Sequence, residues 1–378
     1  MNVIIACGGT GGHLLPGLAV AEALLARGHR VRLLVSEKAV DQVALAALTG
    51  ASSRSSGTLS VTPLTAVGYT GLRRSMTFCY RLAQATHVCA VEYAAFQPAV
   101  VLGMGGFTSA PAILAARWRG VPALIHESNA VPGKANAWLG RWAAGVALGL
   151  GECAAHFGTR PTTVTGTPIR AALRGGRVAG AALRLGLVTG KLTALVVGGS
   201  QGAHAINAAV MAALPALADC RDRVQFLHLA GRADEAAVRA AYARAGFTAT
   251  VLGYCQEMAL AYSAADVALS RAGAATLAEL AAFGVPALLV PYPQAAGNHQ
   301  YCNARVLEQA GAARIVALAD VAAALRAVLD DAPGRRQMAA AAAGLAVRDA
   351  EQRLANLVEQ LPAGPVAAPR LACAPTTA

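Results

Sequence analysis

The chain is 378 residues long, enough for two or three domains that each bury a core. Hydrophobic residues make up 56%, but the longest apolar runs, such as 192–197 and 285–290, are strand-sized, which excludes a spanning helix of about 20 residues. A net charge of +12 calls for an anionic partner; the basic residues are dispersed, without a zinc-finger or RNP pattern, so phosphate groups or a membrane surface fit better than nucleic acid.

Met1 runs straight into a short apolar stretch and a glycine-rich turn, with no basic segment ahead of it, so no signal peptide is expected. Short β-branched runs then alternate with Ala/Leu-rich helical stretches, the pattern of a parallel sheet covered by helices. In the first half the spacing predicts strands at 3–6, 30–35, 100–103, 123–126 and 146–150. Helices are expected over 16–27, 73–96, 109–119 and 133–143. After Gly166 the texture turns Arg- and Gly-rich over 170–191, which reads as a connection. A second series restarts with strands at 192–197, 224–229, 250–252, 267–270, 287–290 and 313–316. Its helices are expected over 202–214, 234–245, 274–283, 299–310, 319–329 and 335–360.

The fold class is therefore α/β, with two Rossmann-like doubly wound parallel-sheet domains facing across a cleft. The expected division is 1–166, a connection 167–191, a second domain 192–345, a closing helix 346–361 and a Pro/Ala-rich tail 362–378 without fixed structure. The cysteines, at 7, 79, 89, 153, 220, 255, 302 and 373, form no C-x-x-C and no metal-ligand spacing with His, so reduced thiols in a cytoplasmic protein are expected.

Five motifs sit where strands end. Gly8-Gly9-Thr10-Gly11-Gly12-His13 follows the first strand; glycines admit close backbone approach and the helix start favours an anion. It fits the dinucleotide fingerprint poorly, because Leu14 stands where the third glycine belongs, and His13 is a candidate base. Gly103-Met104-Gly105-Gly106-Phe107-Thr108-Ser109 offers a second anion cradle, with Ser109 a candidate N-cap, or simply a tight turn. His126-Glu127-Ser128-Asn129 is costly to bury without partners, which favours a cleft, and Ala130 rules out a zinc H-E-x-x-H. Gly198-Gly199-Ser200-Gln201-Gly202 matches the nucleophile elbow of serine hydrolases, with Asp266 and His299 following in hydrolase order, yet the same loop can hold a phosphate. Finally, Ser270-Arg271-Ala272-Gly273-Ala274-Ala275-Thr276-Leu277-Ala278-Glu279 joins a glycine turn, a helix start and an arginine, a set suited to a diphosphate. Glu279 can take ribose hydroxyls or merely face solvent.

Together these motifs resemble the MurG family of UDP-N-acetylglucosamine transferases, from Val3 to about Leu361. The resemblance implies a GT-B fold with an N-terminal acceptor domain and a C-terminal donor domain. It implies inverting transfer of GlcNAc to the MurNAc 4-hydroxyl of undecaprenyl-diphospho-MurNAc-pentapeptide (lipid I to lipid II), at the cytoplasmic face of the inner membrane. Carried over by position, Thr10, Gly11, Gly12, Asn129, Arg170, Ser200, Cys255, Ala274, Ala275, Thr276, Leu277, Ala278, Glu279 and Gln300 fall where that family contacts UDP-GlcNAc. Ser128, Thr167 and Cys255 depart from the usual Gln, Asn and Ile, and the segment 68–74 is shortened.

No D-x-D metal motif is present, so no metal or cofactor is expected, and Arg271, the Ser200 loop and the helix start at Ala274 would neutralise the departing diphosphate. His13 is the expected base and Glu127 the second choice, with Gly103, Gly105 and Gly106 toward the acceptor diphosphate. The mixed apolar and basic stretch 72–82 is either a half-buried helix or a contact with anionic lipid. Other readings are a serine hydrolase on Ser200, a UDP-GlcNAc 2-epimerase-like enzyme, a sugar-nucleotide sensor and an NAD-dependent dehydrogenase.

Overall fold

The computed structural model describes residues 1–8, 11–36, 57–64, 75–199 and 202–361. Thr10, Ser200, the 68–74 segment and the tail 362–378 lie outside the described residues.

The first sheet holds β1 (Asn2–Ala6), β2 (Arg30–Val35), β3 (Thr58–Pro63), β4 (Val100–Gly103), β5 (Ala123–Glu127), β6 (Gly145–Leu148) and β7 (Thr162–Val164). Their order is β3-β2-β1-β4-β5-β6-β7, and every pairing is parallel. Helices α1 (Gly11–Ala26), α2 (Ser75–Phe96), α3 (Ser109–Arg119) and α4 (Lys134–Leu139) cover it, and a single helical turn, α5 (Ala181–Arg184), lies in the connection. The second sheet, β8 (Leu192–Val197), β9 (Val224–Leu229), β10 (Ala249–Leu252), β11 (Val267–Ser270), β12 (Ala287–Leu289) and β13 (Ala313–Ile315), is ordered β10-β9-β8-β11-β12-β13, again parallel throughout. Its helices are α6 (His204–Ala213), α7 (Glu235–Ala245), α8 (Met258–Ala264), α9 (Ala274–Phe283), α10 (His299–Gln309), α11 (Val321–Asp330) and α12 (Ala332–Gly344). A last helix, α13 (Ala350–Gln360), completes the described chain.

Helices on both faces explain why the central strands are apolar without alternation. In β1, Val3 and Ile5 enter one core cluster while Ile4 and Ala6 enter another, and all four are fully buried. In each sheet the strand order reverses beside the first strand, between β1 and β4 and between β8 and β11, which opens a crevice at the strand C-termini.

Five elements differ from the spacing-based expectation. The edge strands β3 and β7 and the short helix α8 are additional; TLSVTP and TTV are short, Thr-rich and partly exposed, so they carry no strong apolar signal. Helix α1 begins at Gly11 rather than at residue 16, leaving Pro16 inside it. The expected helix 335–360 is two helices, α12 and α13, broken at 345–349. Helix α13 then returns to the first sheet: Leu354, Ala355 and Val358 join the core of Val20 and Leu24, and Glu359 pairs with Arg27 and His29, each at 2.7 Å.

Candidate active site

At the first crevice, the turns after β1 and β4 are tied to each other. Gly8 N–H donates to Thr108 Oγ1 at 3.0 Å, and that hydroxyl donates back to Gly8 O at 2.9 Å. Ser109, expected to cap a helix, instead accepts from Gly105 N–H (3.0 Å) and donates to Gly105 O (2.8 Å), so it staples the glycine turn. Gly105 and Gly106 have φ of +97° and +74°. A Cβ on Gly105 would lie 2.9 Å from His13 Cδ2, and one on Gly106 would lie 3.1 Å from His13 Nδ1. The missing side chains therefore make room for the imidazole of His13, in the first turn of α1. Of the three glycines expected at an acceptor diphosphate, only Gly106 lines the cleft; Gly103 and Gly105 are buried against Ser109 and His13.

The His126–Asn129 segment was expected in a cleft because burying it needs partners; it is largely buried, and the partners exist. His126 is fully buried and donates from Nε2 to Gly166 O at 3.0 Å, and burial lowers its pKa, which favours the neutral imidazole. Glu127 accepts four hydrogen bonds: Asn129 N–H (2.9 Å) and Nδ2 (2.8 Å) on Oε1, and Gly133 N–H (3.0 Å) and Asn136 Nδ2 (2.9 Å) on Oε2. Those four fill the usual capacity of a carboxylate, which suits Glu127 to shaping the 128–134 loop more than to accepting a proton. Asn129 Oδ1 in turn accepts from Asn303 Nδ2 at 3.0 Å. Asn303, on α10 of the second sheet, also donates to Ala272 O (3.1 Å) and accepts from Ala130 N–H (2.8 Å). This fully buried residue bridges the two halves, and sequence reasoning missed it: nothing in the local sequence marks Asn303 from the nearby Asn298.

At the second crevice, two adjoining cavities of about 340 and 410 Å³ share Gly199, Gly273 and Thr276. The larger brings together Gly198, Gly199 and Gly202 of the β8 turn with Arg271, Tyr292 and Gln300. Gly199, at φ +110°, has nothing within 4 Å of a would-be Cβ, so this turn opens onto the cavity. Arg271 Nη1 donates to Val290 O at 3.0 Å and to Pro291 O at 3.3 Å, and its guanidinium lies over Tyr292 at the cavity wall. Gln300 Oε1 accepts from Tyr292 N–H at 2.9 Å. The second cavity is lined by Arg170, Cys255, Tyr262, Ala274, Ala275, Thr276 and Glu279, with Gly11 and Gly12 from the first half. Leu277 and Ala278, expected at the same ligand, line a separate cavity of about 70 Å³ with Ser128 and Thr167, and Leu277 N–H is bound to Gly273 O. Helical periodicity puts them on the far face of α9. Burial raises the pKa of Glu279, while the Tyr262 hydroxyl and Arg170 oppose the shift.

A third cavity, of about 820 Å³, is walled by α2, α4 and the glycine turn, and takes in His13, Arg81, Gly106, Glu127, Asn129 and His299. Neighbours in sequence thus face different cavities: Gly12 and His13 at the start of α1, and His299 and Gln300 at the start of α10. The hydrolase order fails geometrically. Asp266 accepts Thr193 N–H at 2.7 Å at the N-terminal edge of the second sheet, roughly 13 Å along β8 from the turn that follows Val197. Among the described residues no three His, Cys, Asp or Glu side chains gather as a metal site, and no helix is long and apolar enough to cross a membrane.

Two family models match the chain: the glycosyltransferase family 28 N-terminal domain over residues 3–148 and the glycosyltransferase family 28 C-terminal domain over residues 193–354. The chain is 38% identical over 318 residues to the UDP-N-acetylglucosamine–N-acetylmuramyl-(pentapeptide) pyrophosphoryl-undecaprenol N-acetylglucosamine transferase of Syntrophus aciditrophicus, covering 84% of this chain and 85% of that one. It is 36% identical over 376 residues to the protein of the same name from Geobacter sulfurreducens, covering 94% and 97%. Among solved structures it matches MurG of Acinetobacter baumannii with a TM-score of 0.74 and 30% identity, over 95% of this chain and 99% of that one. With two parallel-sheet domains in the GT-B arrangement, the chain belongs to the MurG family of N-acetylglucosamine transferases, built from the N- and C-terminal domains of glycosyltransferase family 28.

Proposed function

We propose that this chain transfers GlcNAc from UDP-GlcNAc to the MurNAc 4-hydroxyl of undecaprenyl-diphospho-MurNAc-pentapeptide, with inversion at the anomeric carbon, in peptidoglycan synthesis. One observation carries the reading: Gly12 and His13 are adjacent in the chain, yet one lines the nucleotide-sized cavity and the other lines the large cavity of the first half. A base held there can take the proton of an incoming hydroxyl while the diphosphate leaves on the other side.

In this mechanism His13 is the base, and the glycine turn beneath it fixes the ring. Glu127 keeps the 128–134 loop, and Asn129 with it, at the sugar. The uracil lies against Cys255, and Glu279 takes ribose hydroxyls. The Ser200 loop, the N–H groups at the start of α9, Arg170 and Arg271 draw off the charge of the departing diphosphate, each charge-assisted bond contributing about 1.5–3 kcal/mol. Thr10, Gly11, Gly12 and Gln300 complete the donor contacts, and Gly106 faces the acceptor.

The start of α2 is the membrane contact in this proposal. Met76 and Tyr80 are 89% and 70% exposed there, with Arg81 beside them at the rim of the large cavity. Apolar side chains flanked by arginine suit the cytoplasmic face of an anionic bilayer, where a polyprenyl acceptor resides. Replacing Arg73, Arg74 and Arg81 together by Glu should abolish binding to anionic vesicles; unchanged binding would remove this contact from the model of action. The transfer itself is tested with radiolabelled UDP-GlcNAc and a lipid I analogue. Label should enter the lipid-soluble product, and release of free sugar alone would refute the assignment.

A further inference from the structure

We infer that Tyr262 is a positioning residue for donor recognition: its hydroxyl holds Glu279 so that the carboxylate reads the ribose diol. The inference rests on the proposed ribose role of Glu279. Tyr262 sits on α8 and Glu279 on α9, and the phenol donates to Glu279 Oε2 at 2.6 Å. Both residues line the donor cavity, yet they are only 1% and 7% exposed.

Among the described residues, this is the sole hydrogen bond to the Glu279 side chain. A buried carboxylate and a buried phenol each need a partner, and here each is the other's. The arrangement commits one lone pair of Oε2 and leaves Oε1 for a ligand. A glutamate without such an anchor would sample several rotamers across the cavity floor, and ordering it would be charged against nucleotide binding. The ring of Tyr262 packs against Phe283, with centroids 5.4 Å apart, so phenylalanine at 262 keeps the core while removing only the hydroxyl.

The pair also sets a proton balance. Burial favours the neutral carboxyl of Glu279, and the Tyr262 hydroxyl is the first influence opposing it, followed by the charge of Arg170. Cys255 and Arg170 are the other titratable or charged groups facing Tyr262. Losing the hydroxyl should let Glu279 take up a proton at higher pH. Since ribose hydroxyls donate best to an ionised carboxylate, donor binding would then weaken earlier on acidification.

The test uses the full chain with Tyr262→Phe and, in parallel, Glu279→Gln. Calorimetry with UDP and with 2′-deoxy-UDP is combined with kcat and KM for UDP-GlcNAc as a function of pH. Tyr262→Phe should weaken UDP about tenfold, the usual effect of losing one hydrogen bond to a charged group. It should also narrow the preference for UDP over 2′-deoxy-UDP, move the acid limb of the donor KM to higher pH, and leave kcat near its normal value. Should Glu279→Gln lose affinity while Tyr262→Phe binds both nucleotides like the parent, or loses both equally, the positioning role is refuted. If Glu279→Gln itself binds UDP normally, the ribose reading fails and this inference with it.

Discussion

In the first half of the molecule the turns after β1 and β4 are closely packed at Gly8, Gly105 and Gly106. Thr108 and Ser109 staple them together, and the His13 imidazole occupies the space that Cβ atoms of Gly105 and Gly106 would take. In the second half the turns after β8 and β11 open at Gly199 and Gly273, where would-be Cβ atoms meet nothing closer than 4.0 Å, although Gly198 and Gly202 are packed against backbone. Both pairs sit where the strand order reverses, so topology alone brings them there. The lesson is that absence of a side chain serves two ends. In one half it seats the His13 imidazole; in the other it leaves the backbone uncovered at Gly199 and Gly273.

The largest expected effect tests the filled side. His13→Ala should lower kcat by about 10²–10⁴-fold, the usual contribution of a general base, while calorimetric UDP affinity stays within a few-fold. A near-normal kcat would mean that the filled turn holds a structural histidine. On the open side, Glu279→Ala should raise the KM for UDP-GlcNAc about 10- to 100-fold, as expected for losing hydrogen bonds to a charged group, and leave the acceptor KM alone. Equal rises in both would blur the two halves into one site.

Asn303→Ala probes the bridge between them. It strips a buried partner from Asn129, Ala130 and Ala272, at a cost of about 1–3 kcal/mol. Donor KM and kcat should both worsen, together about tenfold in kcat/KM; a change in thermal stability alone would make Asn303 a mere strut. The smallest effects come from a matched pair, Gly105→Ala and Gly199→Ala, each straining a positive-φ residue by about 1 kcal/mol, or roughly fivefold. The first should lower kcat by displacing His13, and the second should raise donor KM. If the two variants gave the same kinetic signature, the contrast between filled and open turns would not hold.

The alternation of apolar strands and Ala/Leu-rich helices was enough to read two doubly wound parallel sheets, because strands buried on both faces must be apolar, as β4 and Val3–Ala6 of β1 are. The glycine turns were equally plain, since they fall where those strands stop. Partly exposed β3 and β7 left no such trace, and the split between α12 and α13 was hidden in one long helical pattern. What only the tertiary structure decided is which side of each motif meets which cavity. Gly12 and His13 part company, and Asn303 reaches across to Asn129. Those outcomes depend on contacts between residues far apart in the chain, and composition and local spacing carry no information about the direction in which a side chain will find its partner.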